Sequence, residues 1–164
     1  MTIEDIQSIA SFNCPNLKRL GLNACEDGMP EGFSQCLIST LAANTQFDLE
    51  ELYVFYSGEG QDIIRGLCET KLVGKLKLID LMDRELGYDP DDSMELLMKH
   101  ADKLAKLKTL RIPFNSLMED ELKQLADAIP CIVNSCPVDG EPMNVPWYRP
   151  FSPQHYGADQ FALN

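Results

Sequence analysis

Leucine recurs along this chain in a fixed frame. The segments Leu17-Lys18-Arg19-Leu20-Gly21-Leu22, Leu49-Glu50-Glu51-Leu52-Tyr53-Val54, Leu76-Lys77-Leu78-Ile79-Asp80-Leu81 and Leu107-Lys108-Thr109-Leu110-Arg111-Ile112 all read L-x-x-L-x-L, with Ile or Val accepted at the later apolar positions. They start 32, 27 and 31 residues apart. A repeat near this period predicts stacked supersecondary units. Within each unit, period-two alternation predicts a short strand whose leucines enter the core. The third, fifth and seventh positions of the pattern then face outward.

Each strand is followed by an amphipathic stretch able to cover its buried face. The first runs from Pro30 to about Asn44, with Phe33, Cys36, Leu37 and Leu41 on one side. The second spans about Gln61 to Val73. The third, Asp89 to Lys106, opens with Asp-Pro, proline being tolerated at the first helical position. The fourth opens with Ser116-Leu117-Met118-Glu119, a capping box, and stops at Pro130. Ahead of the repeats, Thr2 to Phe12 predicts a leading helix with Thr2 as N-cap and Ile3, Ile6, Ile9 and Ala10 as its buried stripe. Such a helix shields the open end of the first strand.

The pattern breaks at about Pro137. Pro137, Pro142, Pro146, Pro150 and Pro153 interrupt helix and strand alike, interleaved with Trp147, Tyr148, Phe151, Tyr156 and Phe161. The organisation read from the chain is therefore a repeat domain over residues 1–136, with residues 1–13 as a helical cap. Residues 137–164 form either an irregular C-terminal cap or an extended docking segment for a partner.

Length and composition fit one soluble domain of 164 residues, 45% apolar and 24% charged. No apolar run reaches the length of a membrane span, and the acidic start lacks the basic and apolar regions of a signal peptide. A cytoplasmic or nuclear location is the expectation. The 26 acidic against 14 basic residues give a net charge of -12, which repels nucleic acid and anionic lipid and suits a basic protein surface. Six cysteines, Cys14, Cys25, Cys36, Cys68, Cys131 and Cys136, include no C-x-x-C pair. Cys25, Cys36 and Cys68 fall where small apolar residues pack, as buried structural thiols. Cys131 and Cys136 are near enough in sequence to pair, but without a secretion signal reduced thiols are expected.

The four segments resemble the leucine-rich repeat family. Cys25 and Asn115 occupy the position that closes L-x-x-L-x-L-x-x-N/C, whereas Ser57 and Arg84 stand there in the second and third units. Helical connections and a period near thirty are similar to the ribonuclease-inhibitor-like subclass, over roughly residues 14–130. The resemblance implies an α/β solenoid, with parallel strands on a concave face and helices on the convex face. It also implies a protein-binding module or a subunit of a larger assembly, without a cofactor or covalent chemistry.

Outward strand positions then form the concave face. The third pattern position gives Arg19, Glu51, Leu78 and Thr109; the fifth, Gly21, Tyr53, Asp80 and Arg111; the seventh, Asn23, Phe55, Met82 and Pro113. Tyr53, Phe55, Leu78 and Met82 make a central patch of residue types enriched at interface cores. Asp80, Glu51, Arg19 and Arg111 make its charged rim. A one-residue slip would instead send Leu78 and Met82 into the core.

Catalytic readings are weaker. Gly58-Glu59-Gly60 is acidic and precedes no Lys-Ser/Thr, so it is no phosphate loop. His100, among Lys99, Asp102 and Lys103, reads as a solvated helix residue. The clusters Asp89-Asp91-Asp92 and Glu119-Asp120-Glu121 suit helix first turns and lack the spacing of a calcium loop. By analogy with Ran GTPase-activating proteins, Arg84 in the loop after the third strand offers an arginine finger, although Glu85 beside it is a ready ion-pair companion. Substrate adaptor of a ubiquitin ligase, regulator of a GTPase and structural subunit all remain open.

Overall fold

Alternating apolar residues at the repeat positions build a parallel sheet in the computed structural model of the chain. The structure describes residues 2–9, 11, 14, 16–23, 30–44, 47–55, 58–82, 90–113 and 119–134; of Asn23, Phe55, Met82, Pro90, Asp91 and Asn134 it describes the backbone alone. The elements run α1 (Ile3–Ile9), β1 (Arg19–Asn23), α2 (Phe33–Ala43), β2 (Glu51–Phe55), α3 (Gly60–Glu69), β3 (Leu78–Met82), α4 (Pro90–Lys99), α5 (Ala101–Leu104), β4 (Thr109–Ile112), α6 (Glu119–Ala128) and β5 (Ile132–Asn134). The five strands are parallel and lie side by side in chain order. This is a mixed α/β fold.

Pairing begins one residue before each strand. Glu50 donates its backbone N–H to the Lys18 carbonyl (2.8 Å), Lys77 to Glu50 (2.7 Å) and Lys108 to Lys77 (2.8 Å). The second position of each repeat therefore stacks on the second position of the next. Leu20, Leu22, Leu52, Val54, Ile79, Leu81, Leu110 and Ile112 all point to one side of the sheet and are buried. They meet Phe33, Leu37, Ile63, Leu67 and Leu97 from the helices. The helices form one continuous layer, α1 against α2, α2 against α3, α3 against α4 and α4 against α6. The other side of the sheet carries no described helix or strand, and it is called the open face below.

The leading helix starts as the sequence implies. The Thr2 hydroxyl accepts from the Asp5 N–H (3.2 Å), and an Asp5 carboxylate oxygen accepts from the Thr2 N–H (2.7 Å), a reciprocal cap. Other boundaries shift for backbone reasons. Gly32 adopts a left-handed conformation (φ 76°), so α2 starts at Phe33 rather than Pro30. Lys71 is also left-handed (φ 65°), which ends α3 and leaves Leu72–Gly74 as a separate 3-10 turn. The stretch expected as one helix to Lys106 breaks at His100 into α4 and α5. Ser116 of the expected capping box lies outside the described residues, as do Ala10 and residues 137–164.

One addition and one correction concern the end of the repeats and His100. The fourth helix ends at Ala128, ahead of Pro130, and the pattern runs on into a fifth strand: Ile129-Pro130-Cys131-Ile132 repeats the L-x-x-L spacing, and β5 pairs with β4. Proline at the second pattern position is tolerated there because it precedes the strand. His100 is not solvated; it is 7% exposed, with Nε2 buried and unpartnered. Burial, with Lys103 and Lys99 nearby, pushes its pKa down.

Candidate functional site

Parallel pairing lines up the outward positions across the sheet. Arg19, Glu51, Leu78 and Thr109 form one row, and Gly21, Tyr53, Asp80, Arg111 and Val133 the next. Backbone register aligns Asn23, Phe55 and Met82 in a third. These are the rows that pattern position alone gives. A slip in β3 is excluded, since Ile79 and Leu81 are fully buried while Leu78 is only half-buried.

Polar contacts tie the first two rows together. One carboxylate oxygen of Glu51, Oε2, accepts from Arg19 Nε (2.9 Å) and from the Tyr53 hydroxyl (2.7 Å). Arg19 is 70% exposed and its pairing with Glu51 is a weak solvent-facing bridge. The Tyr53 hydroxyl is thus held along its own strand, and both Tyr53 and Leu78 are half-buried. Across β3 and β4, Arg111 Nη1 donates to Asp80 Oδ2 at 3.2 Å.

Asp80 departs from the rim placement. It is 0% exposed, and its second oxygen, Oδ1, is buried without a partner. Burial raises its pKa, and the Arg111 charge and hydrogen bond oppose that shift. A buried, half-satisfied carboxylate in the middle of a sheet face is costly, about 1–3 kcal/mol for the unmade bond. The centre of the site is therefore a buried carboxylate paired with Arg111 rather than a free acidic edge.

The sequence reading missed a second polar ladder. Glu50 bridges Lys18 (3.1 Å) and Lys77 (2.5 Å) along the edge where the strands begin. Its pKa is lowered by hydrogen bonds from Lys77 and Lys18. The alternation Lys18, Glu50, Lys77 at the second pattern position was the available signal. Also missed was Glu59, whose carboxylate accepts from the Ser34 N–H at 2.7 Å and caps α2 from the following unit.

Other candidates fall elsewhere. Arg84 lies outside the described residues, as do Cys25 and Cys136. Cys68 is buried and its thiol is pushed up to about 11 by burial. Cys36 and Cys131 are half-buried, Cys14 is exposed, and these described thiols are free. Among the described residues no three His, Cys, Asp or Glu side chains converge as a metal site would require. A shallow, largely apolar depression opens between Leu41, Phe47, Leu49, Leu67, Leu72 and Leu76, apart from the outward strand positions. Compared with known protein families, curated proteins and solved structures, the chain finds no match in any of the three.

Proposed function

We propose that this chain is a ribonuclease-inhibitor-like leucine-rich repeat solenoid that binds a protein partner through the open, concave face of its sheet. The observation that carries the reading is the register itself. Repeat positions that the core does not need are brought into straight rows, with half-buried Tyr53 and Leu78 beside the Asp80–Arg111 pair. Aromatic and Arg side chains on rigid strands are good anchors, because little side-chain freedom is left to lose on binding.

The mechanism is complementarity of shape and charge, with no covalent step and no cofactor. The charge of -12 favours a partner with a basic surface over nucleic acid or anionic lipid. No described helix is long and apolar enough to cross a membrane. A cytoplasmic setting belongs to the same proposal.

Capture from native lysate tests it, with wild type, Tyr53→Ala/Phe55→Ala and the helix-side variant Arg65→Ala compared by mass spectrometry. A partner kept by wild type and Arg65→Ala but lost by the double variant is the expected result. A partner kept by all three, or lost only with Arg65→Ala, moves binding to the helical side and overturns the reading.

A further inference from the structure

We infer that the edge where β3 and β4 begin is a second docking surface, which takes a short acidic segment of a protein partner carrying one large apolar side chain. It lies apart from the open face and does not depend on the partner proposed there.

The signal is a motif repeated in consecutive units. Lys71-Leu72-Val73-Gly74-Lys75-Leu76-Lys77 and Lys103-Leu104-Ala105-Lys106-Leu107-Lys108 hold six lysines and no carboxylate, in a chain of net charge -12. The structure stacks the two. Lys75 and Lys106 occupy matching turns, their N–H groups donating to the carbonyls of Leu72 (3.0 Å) and Lys103 (3.2 Å). The Lys108 N–H then donates to the Lys77 carbonyl at 2.8 Å. Lys75, Lys77, Lys106 and Lys108 therefore form an array at the starts of adjoining strands, which lie about 4.8 Å apart. All four are exposed.

The fold itself does not ask for this array. Helix C-termini favour cations within their last turn, but these four lysines lie beyond α3 and α5 and lead into the strands. Like charges side by side on neighbouring strands are destabilising. Among the described residues Glu50 pairs with Lys77, whereas Lys75, Lys106 and Lys108 have no ion-pair partner. Carboxylates brought by a partner would relieve that repulsion.

Beside the array is an apolar seat. The depression between Leu41, Phe47, Leu49, Leu67, Leu72 and Leu76 is also lined by Lys75 and Asn44. Leu72 and Leu76 belong to the lysine motif itself, so charge and apolar surface come from the same stretch of chain. At about 3.4 Å per extended residue, a peptide with carboxylates over the array holds a neighbouring leucine or phenylalanine within reach of the depression.

Two features select a short acidic peptide over a long polyanion. A lining of leucine and phenylalanine suits an apolar side chain, whereas base edges need placed donors and acceptors. The lysine array also spans two units only. Asp48 and Glu50 stand at the equivalent positions of the unit before, so an extended nucleic acid or a lipid surface would run onto carboxylates.

Fluorescence anisotropy of an oligoglutamate peptide with one central phenylalanine, titrated with the full chain at low salt, tests the inference. Binding is expected, several-fold weaker when alanine replaces the phenylalanine. Lys75→Glu/Lys106→Glu should weaken it about tenfold at unchanged circular dichroism. Arg65→Glu/Lys123→Glu makes the same change in net charge on α3 and α6 and should leave it near the wild-type value. No binding to the wild type overturns the inference. So does equal binding of the alanine peptide, equal loss in the two charge-reversed variants, or tighter binding of oligothymidylate or phosphatidylserine vesicles. Should Lys75→Glu/Lys106→Glu fail to fold, Lys75→Gln/Lys106→Gln takes its place. A several-fold loss then supports the inference, and unchanged affinity contradicts it.

Discussion

At Gly66, α2 and α3 approach so closely that an added Cβ would lie 2.7 Å from Ile38 Cγ1 and 3.3 Å from Ile38 Cβ. Ile38 is branched at that point and held in the core, so it cannot swing away cheaply. Gly→Ala inside a helix ordinarily stabilises by about 1 kcal/mol. Here overpacking reverses the sign. Gly66→Ala is expected to lower stability by about 1–3 kcal/mol, and Ile38→Ala should recover part of that loss in a double-mutant cycle read by urea unfolding. A stabilised Gly66→Ala would mean that the helices do not pack at this distance. His100 makes the matching electrostatic case. Its folded pKa is lowered from 6.5 by burial, so the unfolded chain binds its proton more tightly. Its contribution to stability is full above about pH 6.5 and is lost as pH falls towards the folded pKa. Asp80, raised from 3.8 by burial, has the opposite slope: its stabilising contribution is lost as pH rises through its folded pKa. Comparing His100→Gln with wild type isolates the histidine, and the variant should lose stability less steeply on acidification below about pH 6.5. Equal slopes in the two chains would contradict a buried neutral imidazole.

Among the elements, strands were more legible than helix ends. Period-two leucines mark β1 to β4 because alternation is imposed by burial of one face, and burial is what the sequence encodes most directly. Helix ends depend on single backbone torsions. The left-handed Lys71 ends α3 in the role usually taken by glycine, and nothing in Glu69-Thr70-Lys71-Leu72 announces it. Proline at position 130 reads as a stop and hid β5, whose Ile129-x-x-Ile132 spacing was visible. Capping between units was invisible for another reason. Gly32 offers α2 no side-chain cap, and the acceptor comes from Glu59, 25 residues on. Glu59→Ala should therefore cost about 1 kcal/mol, with the loss showing as faster amide exchange in the first turn of α2. Exchange that speeds up only around α3, or not at all, would show that Glu59 does not hold α2.

At the scale of the whole molecule, one repeat frame places both the core and the face. Tyr53, Leu78, Arg111 and Asp80 fall in the rows that the sequence pattern implies, because parallel strands in matched register leave their outward positions no other alignment. Whether a residue on that face meets solvent was not legible. Asp80 looked like a rim charge and is the most buried of the group, since its cover depends on contacts distant in sequence. The Lys18–Glu50–Lys77 ladder follows the same logic as the rows and adds a salt-sensitive clamp at the edge where the strands begin. The claim on which this account turns is that the rows form the partner surface. The most direct measurement is the affinity of the purified partner, by titration calorimetry, for wild type, Tyr53→Ala, Phe55→Ala and Arg65→Ala. Losses of about 2 kcal/mol for each open-face variant, with Arg65→Ala at wild-type affinity, are the predicted result. Open-face variants that stay folded and bind as tightly as wild type would contradict it.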